Sequence, residues 1–312
     1  MKTTNSKDLV KVNQILPIMQ EHLGKTMNLA RIKLMALMLH ALCVVQTVSL
    51  HKLASAMPNS RDKDTNLRRI QRFIAKFALD LDVVAKIIFS LLPDKTGLVL
   101  SMDRTNWKFG EVNINILMLG VTYMGIAFPL IFKLLDKRGN SNWEERRDIM
   151  LRFIRLFGYE CIDSLVADRE FIGKEWIEFL NNMRIRYYIR IRQNFWVRNP
   201  KASAPCRAWW LFHDLKVGQE KFYPKLFLMK GEYVYLAGSR IKNSDGIAEL
   251  QILICFNKPE LGISTYKKCW EVETCFKAMK SSGFNIEDTH LRDIDRIARL
   301  TAMVCIALAW AY

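Results

Sequence analysis

The chain of 312 residues is 50% hydrophobic and 11% aromatic, so it can bury one large core or two modest ones, and an intrinsically disordered protein is excluded. Its formal net charge of +16 indicates an anionic partner, usually nucleic acid, although a merely soluble basic protein would carry the same surplus. The seven scattered cysteines show no zinc-knuckle spacing, which predicts reduced thiols and neither disulfides nor structural zinc.

Residues 1–92 are predicted to form a helical DNA-binding domain. The predicted helices are residues 16–22, 29–46, 49–57 and 66–77. On the last of them Arg68, Arg69 and Arg72 lie beside apolar residues, so one face is basic, and we expect these arginines to contact DNA. An ordinary solvated helix face is the alternative interpretation.

Residues 93–194 are predicted to form a mixed α/β sheet. The predicted strands are residues 97–102, 112–123, 126–135, 161–167 and 185–191, with helices at 143–157 and 173–183. Met124-Gly125 predicts a hairpin turn between the second and third strands, and Gly158 is expected to end the first helix.

An all-β insertion is predicted over residues 195–258, followed by closing helices in residues 259–312. The predicted strands of the insertion are residues 225–229, 233–240 and 248–256, and the closing helices are residues 264–281 and 293–310. The apolar stretches along the chain are short or interrupted by polar residues. We therefore expect buried elements rather than membrane spans.

Two aspartates follow apolar strands. Asp103 comes after residues 97–102, and Asp168 comes after residues 161–167. A carboxylate at the end of a buried strand must be solvated, paired or bound to a metal. If the two strands are neighbours, the two carboxylates converge at one edge of the sheet. Either aspartate alone could equally be a cap or turn residue.

A third carboxylate lies on the penultimate predicted helix. At 100° per residue, Tyr266, Glu273, Lys277 and Lys280 fall on one face, together with Cys269. A helix salt bridge between Glu273 and Lys277 is the alternative interpretation of that glutamate. Three carboxylates together could hold Mg²⁺, a hard cation that takes oxygen ligands and activates a nucleophile for in-line displacement.

Three segments of the sequence resemble the active-site segments of the DDE transposases of insertion-sequence family four. They are residues 103–107 (DRTNW), 167–173 (ADREFIG) and 266–280 (YKKCWEVETCFKAMK). The resemblance implies a ribonuclease-H-like fold in which Asp103, Asp168 and Glu273 are the catalytic, metal-binding triad. It also implies a requirement for Mg²⁺ or Mn²⁺, with two ions as the expected number.

The family's third segment reads tyrosine, two residues, arginine, three residues, glutamate, six residues and lysine. Tyr266 and Lys280 match it and, by the resemblance, would contact DNA phosphates or support the metals. Lys277, Arg190 and Arg169 are further expected DNA contacts.

Cys269 stands at the arginine position of that segment, and a neutral thiol cannot make the forked phosphate contact of a guanidinium. We therefore expect activity to be weakened and predict that arginine at this position raises DNA cleavage.

The resemblance implies a cytoplasmic, nucleoid-associated bacterial transposase that acts as a homodimer on transposon inverted-repeat ends and target DNA, with no membrane partner. It implies metal-dependent cleavage at the ends followed by strand transfer. A catalytically weakened or truncated copy that only binds DNA or inhibits transposition is the alternative hypothesis, because residues 300–312 form an apolar helix without a polar tail. A stand-alone nuclease of the same fold is the third hypothesis.

Overall fold

The computed structural model describes residues 6–109, 111–243 and 245–312. Five helices come first: α1 (Ser6–Leu23), α2 (Leu29–Val45), α3 (Leu50–Ala56), α4 (Lys63–Lys76) and α5 (Leu81–Leu91). Side-chain caps set where several of them begin. Asn28 accepts a hydrogen bond from the backbone N–H of Arg31, and Asp62 accepts one from Thr65. The Asp62 cap explains why α4 begins three residues earlier than the predicted helix at 66–77.

The next part of the chain alternates between strands and helices: β1 (Leu98–Phe109), β2 (Val112–Tyr123), β3 (Ile126–Leu134), α6 (Trp143–Phe157), β4 (Ile162–Ala167), α7 (Lys174–Asn182) and β5 (Tyr187–Ile191). The predicted hairpin is confirmed, since Met124 and Gly125 both have positive φ between β2 and β3. The predicted helix at 143–157 is also confirmed, with a capping box at Asn142 and Gly158 after its last residue.

The predicted end of β1 at Met102 is wrong. The strand runs to Phe109, because β2 pairs with it from Leu100 opposite Val121 to Phe109 opposite Val112. Asp103 therefore lies within a strand, opposite Met118, and not after one. A pairing partner can keep polar residues in an extended conformation after the apolar run has ended.

The segment expected to be an all-β insertion contains β6 (Trp196–Val197), β7 (Cys206–Arg207), β8 (Glu220–Met229), β9 (Glu232–Lys242), β10 (Ala248–Cys255) and a 3-10 helix (Ala208–Phe212). Its three long strands continue the main sheet, whose order is β3-β2-β1-β4-β5-β10-β9-β8. A separate β insertion is therefore not confirmed. The eight strands form one large mixed sheet, consistent with a ribonuclease-H-like fold.

Both edge strands of this sheet contain a proline. Pro129 lies in β3 at an irregularity of its pairing with β2, and Pro224 lies in β8 at an irregularity of its pairing with β9. The outer side of β8 also forms an isolated bridge from Leu228 to Arg198. Proline has no backbone N–H to donate, which is why it is tolerated at the edge of a sheet.

The single helix predicted at 264–281 is wrong. The chain instead forms α8 (Gly262–Tyr266), a 3-10 turn (Lys267–Cys269) and α9 (Trp270–Lys280) in direct succession. The 3-10 turn winds more tightly than an α-helix, so a uniform step of 100° does not hold across it. A further 3-10 turn (Ile286–Asp288) and the last helix, α10 (Ile294–Ala311), follow.

The buried apolar residues form two clusters. The larger hydrophobic cluster extends from Val12 in α1 to Ala309 in α10 and includes residues from both faces of β2, such as Leu117 and Met118; α10 contacts α2, α4, α5 and β3. The smaller cluster includes Val99, Tyr266 and Cys269. All seven cysteines are free in this structure, and five of them are buried.

Within the described ranges, no individual helix has both the length and the hydropathy needed to cross a membrane. Helices α2 and α3 reach those values only when taken together, and their axes meet at 103°.

Candidate active site

Asp103 and Asp168 occupy adjacent positions on two neighbouring parallel strands. The last paired residues of β1 and β4 are Met102 and Ala167, and each aspartate follows directly. Neighbouring strands lie about 4.8 Å apart, so the register alone brings the two backbone positions together. Beyond this point β4 ends while β1 continues beside β2. The condition on which the sequence prediction depended, that the two strands are neighbours, is confirmed.

The alternation of side chains puts Asp103 on the same face of β1 as Val99. That face is covered by α8 and the 3-10 turn after it, through Tyr266 and Cys269. Helix α9 begins at the next residue and contacts β1, which brings Glu273 to the same side of the sheet.

The three carboxylates influence one another electrostatically. Burial raises the pKa of Asp103 to about 7, and the charges of Glu170, Asp168 and Glu273 contribute to the rise. A hydrogen bond of 2.7 Å from the backbone N–H of Arg104 opposes it. The pKa of Glu273 is also raised, by burial and then by Asp168. The three carboxylates are therefore close enough for their negative charges to act on one another, and together they form one region of negative potential.

Two of the cations near these carboxylates are paired with other acidic side chains. Within the described ranges none of the three carboxylates forms a salt bridge, whereas Arg104 pairs with Glu170 and Arg190 pairs with Glu249. The alternative interpretation of Glu273, a salt bridge to Lys277, is therefore not found. No three His, Cys, Asp or Glu side chains among the described residues are arranged to enclose a metal ion.

The donor set is nevertheless suited to a hard divalent cation. It consists of carboxylate oxygens, it lacks a protein cation to balance it, and burial makes the charged form of Asp103 costly. A divalent ion would remove that cost by neutralising the charge. The carboxylates thus have the chemistry of a site for a divalent ion, although within the described residues they are not arranged to enclose one.

Tyr266 is directed toward the second aspartate. Its hydroxyl donates a hydrogen bond of 3.3 Å to Oδ1 of Asp168, and the residue is only 4% exposed. Burial raises the pKa of this phenol far above its ordinary value, so the group stays a neutral donor. In this position Tyr266 can orient Asp168.

Cys269 lies beside all three carboxylates. Burial raises the pKa of its thiol to about 12, and the charges of Asp103, Asp168 and Glu273 add to the rise. The thiol is therefore neutral at physiological pH and leaves the negative field uncompensated. An arginine at this position, as in the family pattern, would place a positive charge there.

An ion pair close to Asp103 and Asp168 in sequence connects β1 with the segment that follows β4. Arg104 follows Asp103, and Glu170 lies two residues after Asp168. The Nε and Nη2 atoms of Arg104 each donate to the carboxylate of Glu170 at 3.3 Å. The same guanidinium donates to the side-chain oxygens of Asn115 at 3.0 Å and Asn140 at 3.2 Å.

A second arginine connects the segment before α6 with the segment after β4. Arg146 donates from Nη2 to the carbonyl oxygens of Ser141 at 2.6 Å and of Glu170 at 3.1 Å. Its guanidinium also lies over the ring of Phe171, at 4.9 Å from the centroid. The sequence prediction did not identify Arg104, Glu170 or Arg146 as functional, although Glu170 stands out as a charge directly before the apolar Phe171.

The expected DNA-contacting residues of the core differ in their availability. Lys280 donates to the carbonyl oxygen of Asn106 at 3.0 Å and pairs with Glu287 at 2.8 Å, so its charge is partly balanced. Arg190 is paired with Glu249. Arg169 and Lys277 are exposed. Of these four residues, only Arg169 and Lys277 therefore present their charges to solvent without a salt bridge in the described structure.

The three arginines of α4 also differ. Arg68 and Arg72 are exposed and Arg69 is half-buried; Arg69 and Arg72 line a cleft between α4 and α2, and Arg68 does not. This cleft also contains Lys76, from the same basic face of α4, and Arg31, which the sequence prediction did not identify as a DNA contact. Arg31 belongs to a different helix, so helical spacing within α4 could not have identified it.

A family model described as "Transposase DDE domain" matches residues 146–310, which is more than half of the chain. The matched range contains Asp168 and Glu273 and begins after Asp103. No curated protein matches the chain in sequence.

Three solved structures are similar to the chain at low identity. A piggyBac transposase synaptic complex with hairpin DNA has 13% identity and a TM-score of 0.49, covering 96% of this chain and 70% of that chain. A Marinitoga piezophila Argonaute in complex with 5′ OH guide RNA and target DNA has 11% identity and a TM-score of 0.28, covering 62% of this chain and 31% of that chain. Endonuclease V from Bacillus subtilis has 12% identity and a TM-score of 0.27, covering 74% and 94% respectively.

Proposed function

This chain belongs to the transposase DDE domain family, and on that premise we propose that it is a transposase of insertion-sequence family four. In this proposal it cleaves DNA at the two ends of its transposon and joins the freed 3′ hydroxyls to target DNA. The register of β1 and β4, which brings Asp103 and Asp168 to adjacent positions below α9, is the observation that supports it most strongly.

Asp103, Asp168 and Glu273 are proposed to hold divalent metal, as Mg²⁺ or Mn²⁺ and as two ions. DDE transposases generally depend on divalent metal. When bound, the metal would lower the pKa of an attacking water or hydroxyl and stabilise the leaving oxygen. The protein's part is to position the carboxylates. Tyr266 orients Asp168 through the hydrogen bond of 3.3 Å, and the Arg104–Glu170 pair ties the two strands together.

Exposed cations around the carboxylates are proposed to hold the DNA backbone. Arg169 directly follows Asp168, and Lys277 lies one helical turn after Glu273. Lys280 and Arg190 are proposed to add positive potential, from their positions beside Asn106 and Glu249. We further propose a homodimer on DNA, because two transposon ends must be cut and joined together, and a nucleoid-associated location in a bacterial cytoplasm.

Cleavage of a plasmid that carries the inverted repeats flanking the gene tests this function. We expect cuts at the repeat boundary with Mg²⁺ or Mn²⁺ and at least a hundredfold loss of cleavage in Asp168→Asn. Asp94→Asn is the matched control, because Asp94 is an exposed aspartate outside the triad. Cleavage retained in Asp168→Asn would refute the assigned carboxylate, and cleavage without preference for the repeats would indicate a stand-alone nuclease.

A DNA-binding protein without catalysis is the second candidate, favoured by Cys269 beside the carboxylates. Such a protein would bind the repeats as tightly with Asp168→Asn as without it and would cut in neither form. It would also lower transposition when expressed together with an intact relative. Binding and cleavage measured on the same DNA therefore separate the two candidates.

A further inference from the structure

A cleft of about 370 Å³ lies between α2 and α4. Four cations line it: Arg31 from α2 and Arg69, Arg72 and Lys76 from α4. Phe77 contributes an apolar wall, and the guanidinium of Arg31 lies 5.2 Å from the centroid of its ring. The cleft therefore combines concentrated positive charge with an apolar surface that orients it.

The geometry of the two helices explains why these charges converge. Residues 69, 72 and 76 follow one another at spacings of three and four, which puts them on one face of α4 beside the buried Phe73. Arg31 lies in the first turn of α2, where Asn28 caps the helix. Two separate stretches of sequence thus supply cations to the same cleft.

The charge of the cleft is not balanced by the protein. Within the described ranges none of the four cations forms a salt bridge with an acidic side chain. The pKa of Arg69 is lowered, first by burial and then by the charge of Arg61. Like charges that are brought together without acidic partners repel one another, so the cleft is suited to an anionic ligand.

We propose that this cleft binds a phosphate of the DNA backbone. Guanidinium groups match the geometry of phosphate oxygens and make forked contacts with them. A phosphodiester is the anion that the proposed transposase would meet most often, so the inference rests on the proposed function. It differs from the sequence expectation because it adds Arg31 from α2 and excludes Arg68, which does not line the cleft.

The cleft is joined firmly to the catalytic part of the chain. Arg299 in α10 donates a hydrogen bond of 2.9 Å from Nη1 to the carbonyl oxygen of Ile74 in α4. Helix α10 also contacts β3, at one edge of the sheet that carries Asp103 and Asp168. A phosphate held in the cleft would therefore lie at a fixed distance from the carboxylates.

The test is DNA binding measured by fluorescence anisotropy with duplexes of repeat and unrelated sequence. The assay uses Asp168→Asn protein in EDTA, so that cleavage plays no part. We expect Arg31→Gln and Arg69→Gln each to weaken binding about tenfold on both duplexes. Each should also reduce the slope of log K against log salt by about 0.9, the value for one lost phosphate contact.

Lys63→Gln is the matched control, since it removes one positive charge from the same helix outside the cleft, and it is expected to leave the slope unchanged. Arg31→Lys keeps the charge and should restore most of the affinity, while a thermal melt checks that each variant is folded. Equal effects of Lys63→Gln and Arg69→Gln, or unchanged binding by Arg31→Gln, would overturn the proposal. If the cleavage assay fails while these binding differences hold, the proposed function fails and the phosphate site stands.

Discussion

Removing the charge of Glu170 is expected to destabilise the protein more than removing any exposed acid. Glu170→Gln keeps the shape of the side chain but leaves the Arg104 guanidinium without its carboxylate. The side chain of Arg104 is 12% exposed and that of Glu170 is 23% exposed, so water can replace the lost contact only in part. The two amide oxygens of Asn115 and Asn140 would remain as acceptors.

The expected loss in the free energy of unfolding of Glu170→Gln follows from these contacts. Breaking a buried ion pair on one side costs about 3–5 kcal/mol, because a charge is left uncompensated. The two remaining acceptors and the partial exposure reduce this, and we expect about 2–3 kcal/mol in the free energy of unfolding. Glu170→Gln should also lower the pKa of Asp103, since the charge of Glu170 contributes to its rise.

Urea unfolding of Glu170→Gln, Arg104→Met and the double variant measures the coupling between the two side chains. We expect a coupling energy of about 2 kcal/mol. The exposed pair of Lys133 and Asp148, with side chains 43% and 48% exposed, is the control and should give less than about 1 kcal/mol. A coupling energy for Arg104 and Glu170 no larger than that of the control would refute the reasoning.

Three further predictions concern the carboxylates. In EDTA the free energy of unfolding should fall as pH rises from about 4 to 7, by at most ~4 kcal/mol, because folded Asp103 (pKa about 7 against an ordinary 3.8) holds a proton that the unfolded chain has released. Urea unfolding across pH should show a flatter profile for Asp103→Asn, and an identical profile would contradict the assignment. Millimolar Mn²⁺ should raise the melting temperature more at pH 8 than at pH 5, and this effect should vanish in Asp168→Asn; an equal rise in that variant would mean that the ion binds elsewhere. Cys269→Arg should raise cleavage several-fold whereas the uncharged Cys269→Met should not, and an unchanged or lower rate in folded Cys269→Arg protein would reject the compensating role of arginine.

The sequence predicted the elements of the fold well where a local signal sets them. Helix α6 begins and ends as predicted because the residues that set its ends adjoin it in sequence, with the capping box of Asn142 at its start and Gly158 directly after its last residue. The end of β1 was missed because it depends on pairing with β2, which a single strand does not reveal. The three strands β8, β9 and β10 were recognised as strands, but their place in the main sheet depends on the pairing of β10 with β5.

The residues of the candidate site also divide into those that a local motif predicts and those whose contacts depend on the fold. Asp103, Asp168 and Glu273 could be predicted from motifs, and the register of β1 with β4 then brings the first two together. The pairing of Arg104 with Glu170 could not be predicted, because the two residues are 66 positions apart and their motifs do not specify a contact. The 3-10 turn before α9 was missed since its residues have no helix-breaking signature.

The prolines in β3 and β8 restrict how two copies of the chain can associate. A sheet extends into a neighbouring molecule only when an edge strand offers an unbroken row of backbone donors and acceptors. Pro129 interrupts that row in β3, and Pro224 and the bridge from Arg198 to Leu228 interrupt it in β8. A continuous sheet across two copies of the chain is therefore disfavoured, and in the proposed homodimer side chains on helices or loops would supply the contacts. Such an interface can form and dissociate without rearranging the strands that carry the carboxylates.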